Sequence, residues 1–284
     1  MHNKNHRSFA LVLAGGGVRG LAHAGVLRAL AHYGWRPAAI VGVSMGAIVG
    51  ATYALNPRWY RALVDMDTTT FPRPTVAKSR DLRERVRALL ASERAMRDMI
   101  LGWGVGSRSL KQGEALLRRL TCGRRLEEGH IPVLTVAADL WSGDRVVFRE
   151  GDAAEAVYAS SALPGILPPL RHGDYLLADG AYVDNAPVDL ARELGVDCVI
   201  GVDPSQMHGH AEIRNGLQAM FRAMEICHYS HSQLRFRKAD LVLRPPYPFA
   251  IDVLDFRHQR LCAAVGARAV RQRRAELAEL LGKA

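Results

Sequence analysis

A chain of 284 residues, 49% hydrophobic and 23% charged, has the composition of an ordinary globular protein and enough length for one sizeable core. Its four cysteines, Cys122, Cys198, Cys227 and Cys262, lie far apart with no C-x-x-C pair. That pattern offers neither a zinc site nor a disulfide framework, and suits a reducing, cytoplasmic setting. The net charge of +10 is uneven: 57–126 holds sixteen Lys/Arg against seven Asp/Glu, and 127–284 holds seventeen against twenty-one.

The polar start, MHNKNHRS, leads into a short apolar run, too short for a secretory h-region, so no export signal is expected. That run, Phe9 to Ala14, reads as a buried strand ending in Gly15-Gly16-Gly17. Leu21 to Tyr33 follows with helical spacing (Leu21, Ala24, Leu27, Leu30, Ala31) and stops at Gly34. Ala39 to Val43 is a second short strand, and Met45 to Leu55 a helix closed by Asn56-Pro57. Further strands are expected at Val133 to Ala138, Arg145 to Phe148, Tyr175 to Ala178, Cys198 to Val202 and Leu241 to Leu243. Helical patterns at Ala153 to Ser161, Val188 to Leu194, Ile213 to about Arg237 and from Gln259 onward separate most of them. Alternation of this kind predicts a mostly parallel sheet covered on both faces, a three-layer α/β/α architecture in a single domain over 1–284.

The stretch from Ala39 to Leu55 carries no charge, and Gly42, Gly46 and Gly50 recur every fourth residue as in packed membrane helices. Only nineteen residues separate Pro37 from Pro57, glycine and serine among them, whereas a span needs about 20 predominantly apolar ones. The stretch therefore reads as the centre of a soluble core.

Within it, Gly42-Val43-Ser44-Met45-Gly46 is Gly-x-Ser-x-Gly with a strand before and a helix after. That context exposes a serine hydroxyl at a strand end, with the small flanking glycines Gly42 and Gly46 permitting a sharp turn. The positive end of the following helix favours an alkoxide there. Gly15-Gly16-Gly17-Val18-Arg19-Gly20 also lies between strand and helix. As a dinucleotide fingerprint it lacks the required acid about 20 residues on, because no Asp or Glu precedes Asp65. It also lacks the Gly-Lys-Ser/Thr of a Walker loop. The remaining use of such a loop is to aim N–H groups at an anion, which beside a nucleophilic serine is the oxyanion of acyl transfer.

A serine nucleophile needs a base. Eleven histidines are present, and His23, His172, His208 and His210 all lack a triad context. Asp179, at the end of a strand in YLLADGAYVDNAPV, is the better candidate, although Asp-Gly alone is a routine turn pair. Asp139 and Asp184 compete with it and read as structural.

GGGVRG, GVSMG and DGA, in this order, resemble the patatin-like phospholipase family. The similarity extends through Gly129 to Gly151, Ala159 to Leu170 and Asp179 to Asp203, with Ile166-Leu167 before Pro168-Pro169 where many members carry phenylalanine. The resemblance implies a Ser–Asp dyad without histidine: Ser44 as nucleophile, Asp179 in its Asp179-Gly180-Ala181 motif as base, and Gly15 to Gly20 as oxyanion hole. Arg19 either steadies the loop or attracts an anionic head group. The implied activity is a lipid acyl hydrolase, acting on a phospholipid, lysophospholipid or similar ester without metal or organic cofactor. An acyltransferase using the same serine is the alternative within enzymes, and a non-catalytic nucleotide-binding or regulatory module the alternative outside them. No nucleic-acid partner is expected.

The basic stretch at about 57–126 reads as a helical insertion. Arg80 to Leu90 is an expected helix, followed by Arg94, Arg97 and Trp103 among long apolar residues. Two readings stand: a surface helix or lid lying peripherally on anionic lipid, or a helical layer with Leu82, Val86, Leu89 and Leu90 facing the core.

Overall fold

The computed structural model describes residues 7–68, 110–207, 213 and 216–282. Most of the basic insertion, including Arg80 to Leu90, Arg94, Arg97 and Trp103, lies outside the described residues.

Among the described residues eight strands form one sheet: β1 Phe9–Leu13, β2 Ala39–Val43, β3 Val133–Asp139, β4 Arg145–Phe148, β5 Leu170–His172, β6 Tyr175–Asp179, β7 Cys198–Val202 and β8 Leu241–Leu243. The helices are α1 Ala22–His32, α2 Met45–Leu55, α3 Trp59–Val64, α4 Leu110–Leu120, α5 Ala153–Ser161, α6 Ala181–Asp184, α7 Val188–Arg192, α8 Gly216–Phe236, α9 Gln259–Gln272 and α10 Arg274–Leu281. A 3-10 turn, Gly17–Leu21, joins the glycine loop to α1.

The strands β8, β7, β1, β2 and β3 pair in parallel, and β4, β5 and β6 add an antiparallel half. Every residue of β1, β2, β3 and β7 is buried, as expected for strands covered on both faces. The strand alternation divides the core accordingly. Leu11, Leu13, Ile40 and Ile200 pack with residues of α1, α2, α5 and α9 on one face. Ala10, Val12, Val41 and Val199 pack with α7 and Phe236 of α8 on the other. Among the described residues no helix is long and apolar enough to cross a membrane.

One register positions the site. On β3, Val136 pairs with Val43 of β2 and with Val147 of β4, so β2 and β4 flank β3 on opposite sides. The next residue, Ala137, pairs with Val146 of β4 and with Asp179 of β6. β6 therefore continues along the same edge of β3 that β2 occupies, running the other way. The ends of β2 and β6 meet head to head, and Ser44 and Asp179 stand at the junction.

The helical layer is drawn in by small residues. α1 crosses α9 so closely that a Cβ on Gly25 would lie 1.7 Å from the Ala263 carbonyl oxygen, and one on Gly266 would lie 1.9 Å from that of Ala22. Gly25→Ala must push the helices apart, at a cost of about 3 kcal/mol or more. Thermal unfolding should show a melting temperature lower by roughly 5–10 °C.

Candidate active site

Ser44 has φ 54° and ψ −122°, left-handed backbone that a non-glycine residue adopts only under strain of about 1–3 kcal/mol. The strain is the geometry of the turn: β2 ends at Val43, α2 begins at Met45, and the single residue between them must reverse the chain. Gly46 makes the turn feasible, because any Cβ there would sit 1.9 Å from the Leu13 carbonyl oxygen. The Ser44 N–H donates to Ser160 Oγ at 2.9 Å, and that hydroxyl donates to the Val136 carbonyl at 2.6 Å. Ser160, the penultimate residue of α5, thus ties the turn to β3.

The Ser44 hydroxyl donates to Asp179 Oδ2 at 2.7 Å. The other carboxylate oxygen accepts the Ala181 N–H at 2.9 Å. Asp179 is 4% exposed. Burial pushes its pKa from 3.8 up to about 6, partly countered by the hydrogen bonds from Ser44 and Ala181, which favour the anion. Its backbone is held too: Asp179 N–H donates to the Ala162 carbonyl and Gly180 N–H to that of Ser160.

The glycine loop reaches the serine. A Cβ built on Gly15 would lie 3.1 Å from Ser44 Cβ and 2.9 Å from Asn185 Oδ1. The loop's N–H groups are unequally available. Gly15 donates to Asn185 Oδ1 at 2.7 Å and Val18 to the Val253 carbonyl at 2.8 Å. Two of the six loop residues expected to supply the oxyanion hole, Gly15 and Val18, therefore already have acceptors for their N–H groups. Gly16 and Gly17 N–H groups find no acceptor among the described residues. Asn185 is itself fixed by donating to Ser232 Oγ on α8 at 3.1 Å. Arg19 is 5% exposed and turned away into an ion pair with Glu225 at 3.0 Å, while Tyr247 donates its hydroxyl to the Arg19 carbonyl at 2.7 Å. That arrangement anchors the loop.

The competing acids are occupied elsewhere. Asp139 accepts from the N–H and hydroxyl of Ser142 and from the N–H groups of Leu176 and Trp141, which hold its pKa down to about 2. Asp184 is buried against Arg145 at 2.7 Å and Arg235 at 2.5 Å, in a cluster completed by Asp189. His23 and His172 are likewise committed. His23 is fully buried with Nε2 on the Ala14 carbonyl at 2.7 Å, and burial lowers its pKa to about 4. His172 pairs with Glu155 at the surface, and His208 and His210 lie outside the described residues. Among the described residues no histidine hydrogen-bonds to Ser44 or Asp179, and no cluster of His, Cys and acid could hold a metal ion.

Ser160 and Asn185 are the residues that sequence reasoning did not single out. Both stand inside the sequence blocks ASSALPGILPPL and DGAYVDNAPV, but a serine late in a helix and an asparagine in a turn carry no signal of what they touch.

Comparison with known protein families matches residues 11–192 to "Patatin-like phospholipase". The human protein described as "Patatin-like phospholipase domain-containing protein 6" is 31% identical over 201 residues, which cover 69% of this chain and 13% of that protein. An uncharacterized NTE family protein from Mycobacterium tuberculosis is 33% identical over 184 residues, 65% of this chain and 28% of that protein. The chain thus spans only a minor part of the length of these relatives. Among solved structures, VipD from Legionella pneumophila superimposes with a TM-score of 0.51 at 14% identity, over 94% of this chain and 66% of that one, a likeness of fold. With the family match covering residues 11–192, well over half of its length, the chain belongs to the patatin-like phospholipase family.

Proposed function

We propose that this chain is a serine acyl hydrolase of lipid esters, with Ser44 as nucleophile and Asp179 as general base. The observation that carries the reading is the 2.7 Å hydrogen bond from the Ser44 hydroxyl to a buried carboxylate whose pKa is raised to about 6. An ordinary aspartate, with a pKa near 3.9, is a feeble base at neutral pH. Burial makes this one a stronger base while leaving it ionised at pH 7.

In the first half-reaction Asp179 takes the hydroxyl proton as Ser44 Oγ attacks the ester carbonyl. The carbonyl oxygen becomes an oxyanion and accepts the free N–H groups of Gly16 and Gly17. Collapse of the tetrahedral adduct breaks the ester C–O bond, and protonated Asp179 returns its proton to the leaving alkoxide. In the second half-reaction water gives a proton to Asp179 and attacks the acyl carbonyl. The Ser44–acyl bond breaks, the proton returns to Ser44, and the fatty acid departs. Asn185 and Ser160 take no part in bond making. They hold Gly15 and Ser44 where the reaction needs them.

The test is a panel of phosphatidylcholine, lysophosphatidylcholine and p-nitrophenyl acyl esters, with Ser44→Ala protein as the blank. Free acid should be released from at least one class above the blank. Equal release by wild type and blank from every ester would remove the proposal.

A further inference from the structure

Away from Ser44, a cleft of about 770 Å³ opens among α1, α3 and the start of α9. Its walls carry Arg28, Arg58, Arg61 and Arg260, together with Trp59 and Tyr60. The crossing of α1 and α9 explains the convergence. Ala263 lies against Gly25, so one helical turn further along each helix Arg260 comes level with Arg28. Gln259, next to Arg260, donates to the Val64 carbonyl at 3.0 Å and brings the end of α3 to the same place.

The charge in this cleft is poorly compensated. Arg260 pairs with Asp65 at 2.8 Å. The Arg28 guanidinium lies over the Tyr60 ring, 4.2 Å from its centroid. Neither Arg28, Arg58 nor Arg61 has a carboxylate partner among the described residues. Like charges gathered in a concavity repel, and each guanidinium presents a planar fork of donors suited to a multiply charged oxyanion. A monocarboxylate would leave most of that charge unmet, whereas a phosphate group carries close to two negative charges and enough oxygens for several forks. None of the proposed chemistry at Ser44 uses these residues.

We infer that the α1–α3–α9 cleft is a second, non-catalytic binding site for a phosphate-bearing anion. Either a free phosphorylated compound or a phospholipid head group presents that chemistry.

Trp59 lines the cleft and provides the readout. Inorganic pyrophosphate titrated into the full chain should change the tryptophan emission saturably, and the change should vanish in Trp59→Phe. Affinity should fall at least about tenfold in Arg58→Gln/Arg61→Gln and should weaken steeply with salt, while hydrolysis of a soluble ester stays unchanged. If the glutamine protein does not fold, Arg58→Lys/Arg61→Lys keeps the charge without the forks and should still lose several-fold. Parallel arms use phosphatidylcholine vesicles with and without phosphatidate. Binding of only the phosphatidate vesicles, displaced by pyrophosphate, assigns the head group; pyrophosphate binding without vesicle binding assigns a free compound. No response to pyrophosphate, or equal affinity in the Arg-substituted proteins, overturns the inference. Because the readout is binding, it stands or falls independently of the proposed ester hydrolysis.

Discussion

Ser44→Ala and Asp179→Asn should each lower kcat/KM for an acyl ester by roughly 10³-fold or more, and the double variant should be scarcely worse than either. In the proposed mechanism the two side chains perform one event. Without Asp179 the hydroxyl has no proton acceptor among the described residues, and without Ser44 the carboxylate has no hydroxyl to activate. Independent contributions would multiply instead, giving a double variant far below either single one. Steady-state kinetics on a soluble ester separates the two cases. Circular dichroism verifies that the fold is kept, as it should be: Ser44→Ala leaves the Ser44 N–H to Ser160 bond in place because that bond uses backbone.

The same carboxylate should cost the fold stability. Its pKa lies at about 6 in the folded chain against 3.8 as the ordinary value, because burial disfavours the anion. Well below pH 3.8 the group is protonated in both states and no penalty arises. As pH rises from 4 to 6 the unfolded chain releases its proton while the folded chain retains it, so stability falls across that window and levels off above it. The full penalty is about 3 kcal/mol. Asparagine does not ionise, so Asp179→Asn should match wild type well below pH 3.8 and exceed it at pH 8 by a melting temperature roughly 5–10 °C higher. His23 works in the opposite sense, since its pKa is lowered to about 4 and its stabilisation fades as pH falls below 6.5. It is present in both proteins, so the difference between them isolates Asp179. An inactive variant more stable than its parent at pH 8 would mark Asp179 as retained for chemistry against the interest of the fold.

Local pattern made one half of the site legible. β2 at Ala39–Val43 and α2 at Met45–Leu55 have the bounds that hydrophobic run, glycine spacing and Asn56-Pro57 predict. The serine between them follows from that alone. The other half depends on pairing over long sequence separation. β5 is three residues, two of them exposed, and offers no apolar run to read. Tyr175 to Ala178 is readable as a strand, but nothing local says that it lies antiparallel on the β3 edge beyond the end of β2. Asp179 is therefore a candidate by its place at a strand end and by the family resemblance, and its closeness to Ser44 belongs to the register. Ser160 and Asn185 were illegible for the same reason: their partners are 116 and 170 residues away. α7 ends at Arg192 rather than Leu194, with the chain turning at Gly195 in left-handed backbone at φ 71°. Such endings are set by caps and turns, where helical periodicity is silent.

The central claim is that Asp179, and no histidine, takes the proton from Ser44. Labelling with a fluorophosphonate tests it most directly, because the reagent reports nucleophile activation without a lipid interface. Mass spectrometry of the wild-type protein should find one adduct, on the peptide containing Ser44, and none in Ser44→Ala. The labelling rate should rise with pH through a single midpoint near 6, the ionisation of Asp179, and Asp179→Asn should label at a low rate independent of pH over that range. An adduct on another residue, or an Asp179→Asn protein that labels as fast as wild type with the same midpoint, would contradict the account.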